Sequence, residues 1–337
     1  MKSKWLKRIF LLVGIAVLIY FIQKLGWEEL LANLQKVGWW SIPILLLAVV
    51  WNICHTLAWH QILKFMGHRI PIFQLFRLKL IAEAVNMTAP SANLGGETAR
   101  AYLIKSDVPL SDGLPSVIID KTIDYIVKML FNIIGLGVSL LVIPIHKGLL
   151  IACTGYLFIL LILNGLWVNF QIKGLSGTAM KLANKIPPLR KFLESKKSQM
   201  STLDDNLNKS YTTGVRSLVI AGFWHTCGRM LGVLEVMLLM NLLGAEMTFI
   251  EAIFFSTIVN VINGIFFLIP GQLGVSEAAQ AEIAKTLGYT EDIGFGVGIV
   301  RRIRKLILMA LGLFFLATYD KKEELLQSKN GRTSTNA

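Results

Sequence analysis

Asn86-Met87-Thr88-Ala89-Pro90-Ser91-Ala92-Asn93-Leu94-Gly95-Gly96-Glu97-Thr98-Ala99-Arg100 interrupts a hydrophobic sequence with a proline, a glycine pair and two opposite charges three residues apart. Proline removes a backbone donor, glycine loosens a helix, and each charge is expensive in hydrocarbon. Residues 72–90 leading into this stretch also carry Arg77, Lys79, Glu83 and Asn86, too polar for a lipid-facing span. The reading is a re-entrant segment, entering and leaving on one side and surrounded by protein or water.

The chain around it is 54% hydrophobic and 16% charged, with a mean hydropathy of +0.59. Soluble domains average about 25% charged residues. Several apolar runs approach the ~20 residues that span a bilayer. The fold class is therefore an all-α polytopic membrane protein. The net charge of +13 is unevenly spread: residues 170–216 hold nine Lys/Arg against three Asp/Glu, whereas residues 244–292 hold only Lys285 against six acidic residues. That asymmetry follows the positive-inside rule and attraction to anionic lipid, and no nucleic-acid partner is expected. Cys54, Cys153 and Cys227 lie in apolar segments without a metal-ligand spacing, so no metal or disulfide framework is expected.

About six crossings are read, near 9–22, 41–60, 114–143, 149–168, 217–243 and 293–319. Basic residues before the first span place both termini in the cytoplasm, on a multi-pass protein of a bacterial cytoplasmic membrane. Trp27, Leu30, Leu31, Leu34 and Val37 recur at helical spacing and predict an interfacial helix. Residues 170–216 form a basic cytoplasmic loop with surface helices, and 320–337 a polar, disordered cytoplasmic tail after a membrane domain over 1–319.

A second broken segment, 249–270, ends in Pro270-Gly271-Gln272-Leu273-Gly274-Val275-Ser276-Glu277. Pro90 to Glu97 and Pro270 to Glu277 both span seven residues, and Glu97 to Lys121 and Glu277 to Arg301 both span twenty-four. These coincidences predict two copies, about 41–143 and 217–319, each made of a span, a re-entrant segment and a charged span. Their leading spans run in opposite directions, so the repeat is inverted, an architecture common among secondary transporters.

Four groups are candidate headgroup or translocation residues. The first is Asn86, Pro90, Gly95, Gly96, Glu97 and Arg100; the second is Pro270, Gly271, Gly274, Ser276 and Glu277. In both, glycines precede a helix start, whose free N–H groups can hold a phosphate. The third is Asp120, Lys121, Asp124 and Lys128, and the fourth Arg301, Arg302, Arg304 and Lys305. Such charges must pair, line a hydrated cavity, or both. The alternative to ligand binding is an internal network in which Glu97 and Asp124 neutralise Arg301 or Arg304. His225, Arg229 and Glu235 are read as structural. There is no nucleotide-binding loop or nucleophile elbow in the sequence, and neither a cofactor nor a catalytic residue is expected.

Pro90 with Gly95-Gly96-Glu97 and Arg100, Asp120-Lys121-x-x-Asp124, and Pro270-Gly271-x-x-Gly274-x-x-Glu277 resemble the lysylphosphatidylglycerol synthase transmembrane-region family of flippase-like proteins, over roughly residues 5–320. Its long members add a soluble aminoacyltransferase domain that makes lysylphosphatidylglycerol, which the membrane part moves outward, giving resistance to cationic antimicrobial peptides. The 337 residues hold no such domain after Tyr319, so the expectation is a stand-alone member. Two departures stand out. Asp120-Lys121 replaces the family's usual Glu-Arg, losing a bidentate guanidinium, and Gln272-Leu273 sits where a small residue is common.

The function expected from residues and resemblance together is translocation of a polar lipid between leaflets. Arg100, Lys121 and Arg301 would hold its phosphate, and Glu97 and Glu277 would control opening or meet a cationic headgroup. The partner is an anionic or aminoacylated phospholipid or a glycolipid, with a lipid-modifying enzyme as a further partner. The alternatives are a lipid-headgroup transferase related to phosphatidylglycerol lysyltransferase, with Glu97 or Asp124 as general base, and a scaffold for such an enzyme.

Overall fold

The computed structural model describes residues 27–88, 94–143, 147–174, 197–266 and 274–333, with isolated positions elsewhere, and these form helices without a strand. In chain order they are α1 (Trp27–Val37), α2 (Ser41–Phe65), α3 (Ile72–Thr88), α4 (Leu94–Leu103), α5 (Leu110–Ser139), α6 (Lys147–Lys173), α7 (Lys197–Thr213), α8 (Val215–Leu242), α9 (Phe249–Ile265), α10 (Val275–Thr286) and α11 (Glu291–Thr333).

Four described segments are long and apolar enough to cross a bilayer: Gln35–Phe65, Leu110–Ser139, Lys147–Lys173 and Val215–Leu242. The stretch 9–22 lies mostly outside the described residues, and the apolar run of α11 is broken by Arg301, Arg302, Arg304 and Lys305. The protein is an all-α polytopic membrane protein. On α6, Ile151, Phe158, Ile159, Leu161 and Leu163 point outward, as lipid-facing side chains must where no apolar core covers them.

Both broken segments are helix, break, helix. α3 and α9 have 17 residues each, α4 has 10 and α10 has 12. At 1.5 Å per residue none reaches the ~30 Å of a bilayer core. α3 and α4 approach closely at Gly96, where a methyl group would collide with the Ala82 carbonyl and the Asn86 amide.

The long helices hold these hairpins in a matched pattern. α2 packs on α8, α3 on α11, and α9 on α5, while α4 leads onto α5 and α10 onto α11. Gly228 lets α8 sit against Trp51 and His55 of α2, and Gly312 lets α11 meet the Leu80 carbonyl of α3, as small residues do in membrane helix contacts. The largest apolar cluster, including Phe254, Phe255, Ile258, Val236 and Val297, joins α8, α9 and α11. A second, with Trp59, Leu75, Leu78, Ala101 and Ile104, lies under the α3–α4 hairpin.

Past residue 320, where the sequence reading expected a polar tail, α11 continues to Thr333. The sequence after Asp320, Lys-Lys-Glu-Glu-Leu-Leu-Gln, is made of strong helix formers. Adding turns to an existing helix avoids the nucleation penalty.

Candidate functional site

The charged residues fall into two clusters near the middle of the long helices. The first joins α4, α5 and α8. Arg100 is buried and donates to Asp120 Oδ2 at 2.7 Å, with Glu97 Oε2 at 3.3 Å. Lys121 Nζ lies 3.3 Å from Glu97 and 3.7 Å from Asp124. Arg229 Nη2 donates to Asp124 Oδ1 at 2.5 Å and to its carbonyl at 3.1 Å. Thus Arg100, Lys121 and Arg229 face Glu97, Asp120 and Asp124, and the cluster is balanced. The Arg100 guanidinium also stacks 4.2 Å above the Trp59 ring, whose Nε1–H donates to Ser116 Oγ.

His225 links this cluster to α2. Its Nε2 is 3.1 Å from Asp120 Oδ1, and its Nδ1 is 2.7 Å from His55 Nδ1. His55, His225 and Asp124 bring ligand-type atoms within 4.8 Å of one another. Asp124 is already held by Arg229 and Lys121, and two cations on one carboxylate repel a metal ion, so the trio fits a hydrogen-bonded chain better than a metal centre.

The second cluster surrounds a cavity of about 230 Å³ between α2, α5, α8, α9, α10 and α11. Glu235 is buried at 1% exposure and pairs with Arg304, with Arg301 Nε at 3.5 Å. Glu277 accepts from Arg302 Nε at 2.6 Å, and Arg302 also donates to the Gln272 carbonyl at 3.1 Å. Lys128 and Lys305 line the same cavity and make no ion pair or hydrogen bond among the described residues. The cations Lys128, Arg301, Arg302, Arg304 and Lys305 therefore outnumber the carboxylates Glu235 and Glu277. Arg229 adds a sixth guanidinium or ammonium group to the wall, balanced by Asp124. Insertion scales put one uncompensated Arg or Lys at mid-membrane at about 2.5–3.5 kcal/mol, so this surplus needs water or an anion.

Unsatisfied polar atoms point the same way. Arg229 Nε, Arg301 Nε, Arg304 Nε, Ser256 Oγ, Asn263 Oδ1 and both Glu235 oxygens are buried without a hydrogen-bond partner among the described residues, and all six residues line the cavity. Gln272 closes one side in a left-handed conformation, φ +53°, with its Nε2 donating to the Asn263 carbonyl. A non-glycine residue in that region stores strain and marks a constrained position. Ser256 and Ser276 are the hydroxyls on the wall, and among the described residues neither contacts a His or carboxylate that could activate it.

Several expected roles come out differently. Glu97 and Asp124 are neutralised by Arg100, Lys121 and Arg229, not by Arg301 or Arg304. The two glycine-led helix starts are occupied from within: the Gly96 N–H donates to Asn86 Oδ1 at 2.7 Å, and the Gly274 N–H to Glu277 Oε2 at 3.0 Å. Of the residues in the four groups, Lys128, Ser276, Glu277, Arg301, Arg302, Arg304 and Lys305 line the cavity, while Asn86, Gly96, Glu97, Arg100, Asp120, Lys121, Asp124 and Gly274 do not. Gly95 lies beside Gly96 at the start of α4, and Pro90, Pro270 and Gly271 lie outside the described residues. Sequence reading treated Glu235 as structural and did not foresee Arg302 as the partner of Glu277. A lone Glu in an apolar span was itself the signal, because it must have a buried cation as partner.

The family model described as lysylphosphatidylglycerol synthase TM region matches residues 8–312. Neither the curated proteins nor the solved structures compared with the chain gave a match.

Proposed function

This chain belongs to the lysylphosphatidylglycerol synthase TM-region family, with the membrane lipid-related role that implies, and from that premise we propose that it moves a polar lipid between leaflets by way of the α8–α11 cavity. The observation that carries this reading is the surplus of cations around a buried space of about 230 Å³. That is smaller than the ~300–1,000 Å³ of pockets that enclose a whole drug-sized ligand. It suits a headgroup while acyl chains stay in the bilayer. Arg301 and Arg304, oriented by Glu235, would grip phosphate oxygens as guanidinium forks, with Lys128 and Lys305 as point charges.

We read α2–α5 and α8–α11 as two inverted copies. Helix lengths of 25, 17, 10 and 30 residues against 28, 17, 12 and 43 support this, as does the exchange of packing partners, α3 on α11 and α9 on α5. In such a fold the hairpins can rock against the long helices and open the cavity to either side. Glu97, on Arg100 and Lys121, and Glu277, on Arg302, would latch the two hairpins.

Reconstitution tests this reading. Proteoliposomes carrying a fluorescent phospholipid, with outer-leaflet dye quenched by dithionite, report translocation. Wild-type protein should speed loss of the inner pool, and the Arg301→Ala/Arg304→Ala double variant should not. Equal rates for both, with both proteins folded, would remove the cavity from the pathway.

A further inference from the structure

The balance of charges at the cavity also says what kind of headgroup it takes; this rests on the reading that the cavity holds a lipid headgroup. We propose that its ligand is a lipid whose headgroup carries two or more negative charges, a phosphomonoester or diphosphate, and that aminoacylated, cationic headgroups are disfavoured.

Three observations carry this. First, with both lysines protonated, Lys128, Arg301, Arg302, Arg304 and Lys305 exceed Glu235 and Glu277 by three charges, and Arg229 is neutralised outside the cavity by Asp124. A phosphodiester supplies one negative charge and leaves most of the surplus in place. A zwitterion supplies none on balance, and a lysyl-esterified phosphodiester adds to the surplus.

Second, both carboxylates are already engaged. Glu235 lies between Arg301 and Arg304, and Glu277 is held by Arg302 and by the Gly274 N–H. An incoming ammonium would find no free carboxylate, and would have to break an existing buried pair to gain one.

Third, the unused groups are mostly donors. Lys128 and Lys305 approach from two different helices, and Arg229 Nε and Arg304 Nε lack hydrogen-bond acceptors among the described residues. Several cationic donors converging from different sides suit a group with three terminal oxygens better than a diester with two. The acceptors on the wall without a hydrogen bond among the described residues are Asn263 Oδ1 and the two Glu235 oxygens; the latter are ion-paired with Arg301 and Arg304, and Asn263 Oδ1 matches a headgroup hydroxyl or a protonated phosphate oxygen.

The test is binding by the purified full chain in detergent at pH 7, where a phosphomonoester is mostly doubly ionised because its second pKa lies near ~6. The probes are dihexanoyl phosphatidic acid, dihexanoyl phosphatidylglycerol, dihexanoyl phosphatidylcholine, lysyl-phosphatidylglycerol and inorganic diphosphate. The monoester should bind about tenfold more tightly than the diester, and the zwitterion and the lysyl lipid more weakly still. Lys128→Gln/Lys305→Gln should lower monoester affinity by about tenfold and diester affinity by no more than about threefold, and Lys305→Arg should retain the preference. Removing unpaired lysines relieves repulsion, so these variants are expected to fold; thermal unfolding confirms it.

Equal affinity for monoester and diester, or a preference for the lysyl lipid, overturns the proposal and leaves the lipid-cavity reading standing. Inorganic diphosphate binding as tightly as the lipid monoester supports the charge class and overturns the lipid reading. Binding of none of the probes overturns both.

Discussion

The α4–α5 and α10–α11 regions share a frame and differ in charge. The offset of 180 residues that takes Glu97 to Glu277 also takes Lys121 to Arg301. The same offset takes Arg100 to Gln280, Asp120 to Val300 and Asp124 to Arg304. Where the first region has carboxylates facing its cations, the second has an apolar residue and another arginine. The first consequently closes on itself, with Arg100, Lys121 and Arg229 on Glu97, Asp120 and Asp124. The second draws Glu235 from α8 and still retains a cationic surplus around its cavity. The first region is thus a self-neutralised joint, and the second a cavity with more cationic than acidic side chains.

The sharpest way to break that comparison is to remove one cation from each region and measure stability. Arg100→Met leaves Asp120 buried and short of its main partner, so unfolding stability should fall by about 3–5 kcal/mol. Lys305→Met removes a charge without a partner among the described residues and should leave the ligand-free protein as stable or more so. Tryptophan-fluorescence thermal unfolding in detergent reads both. Losses of similar size would mean that Lys305 is a structural counterion and that the two regions do not differ in this respect.

The two hairpin glutamates test whether the regions work together. Glu97→Gln and Glu277→Gln should each slow translocation, by about tenfold if each latch contributes roughly 1.4 kcal/mol to the moving step. Only Glu277 lines the cavity, so only Glu277→Gln should also shift the half-saturating lipid concentration. A normal rate for Glu97→Gln would make the shared frame a matter of descent without mechanical consequence.

Within the first hairpin, Gly96→Ala should cost about 1–3 kcal/mol by overpacking against Ala82 and Asn86. It should also displace the amide that accepts the Gly96 N–H. An unchanged melting temperature would show that α3 and α4 can separate freely.

The all-α membrane fold was legible because it rests on one-dimensional signals: run length and the Pro and Gly breaks. The site was legible only as a set of charges. Their partners depend on helix rotation and on contacts between distant segments, such as Arg229 with Asp124 across 105 residues. Glu97 meets Lys121 twenty-four residues on, as the spacing suggested, but Glu277 meets Arg302, twenty-five on. That single step is about 100° around a helix. It takes Arg302 onto the hairpin and leaves Arg301 to reach Glu235 and the cavity wall. A spacing argument places residues along an axis and does not resolve a rotation of that size without the packing of α10 on α11.

The smallest effect concerns how the two hairpins begin. α9 starts with a capping box: the Thr248 side chain accepts from the Glu251 N–H, and Glu251 Oε2 accepts from the Thr248 N–H at 2.7 Å. The Tyr289 hydroxyl also donates to Glu251 Oε2 at 3.1 Å, which ties this start to the turn between α10 and α11. α3 begins instead after Pro71, whose carbonyl accepts from the Gln74 and Leu75 N–H groups. Thr248→Ala should therefore cost about 1 kcal/mol, the usual worth of an N-cap hydroxyl. It should leave translocation unchanged if the second hairpin is anchored at its start and moves at its break, where Gln272 is held in its left-handed turn by Arg302. If Thr248→Ala slows translocation more than Glu277→Gln does, motion pivots at the start of α9, and Gln272 belongs to the fixed wall of the cavity.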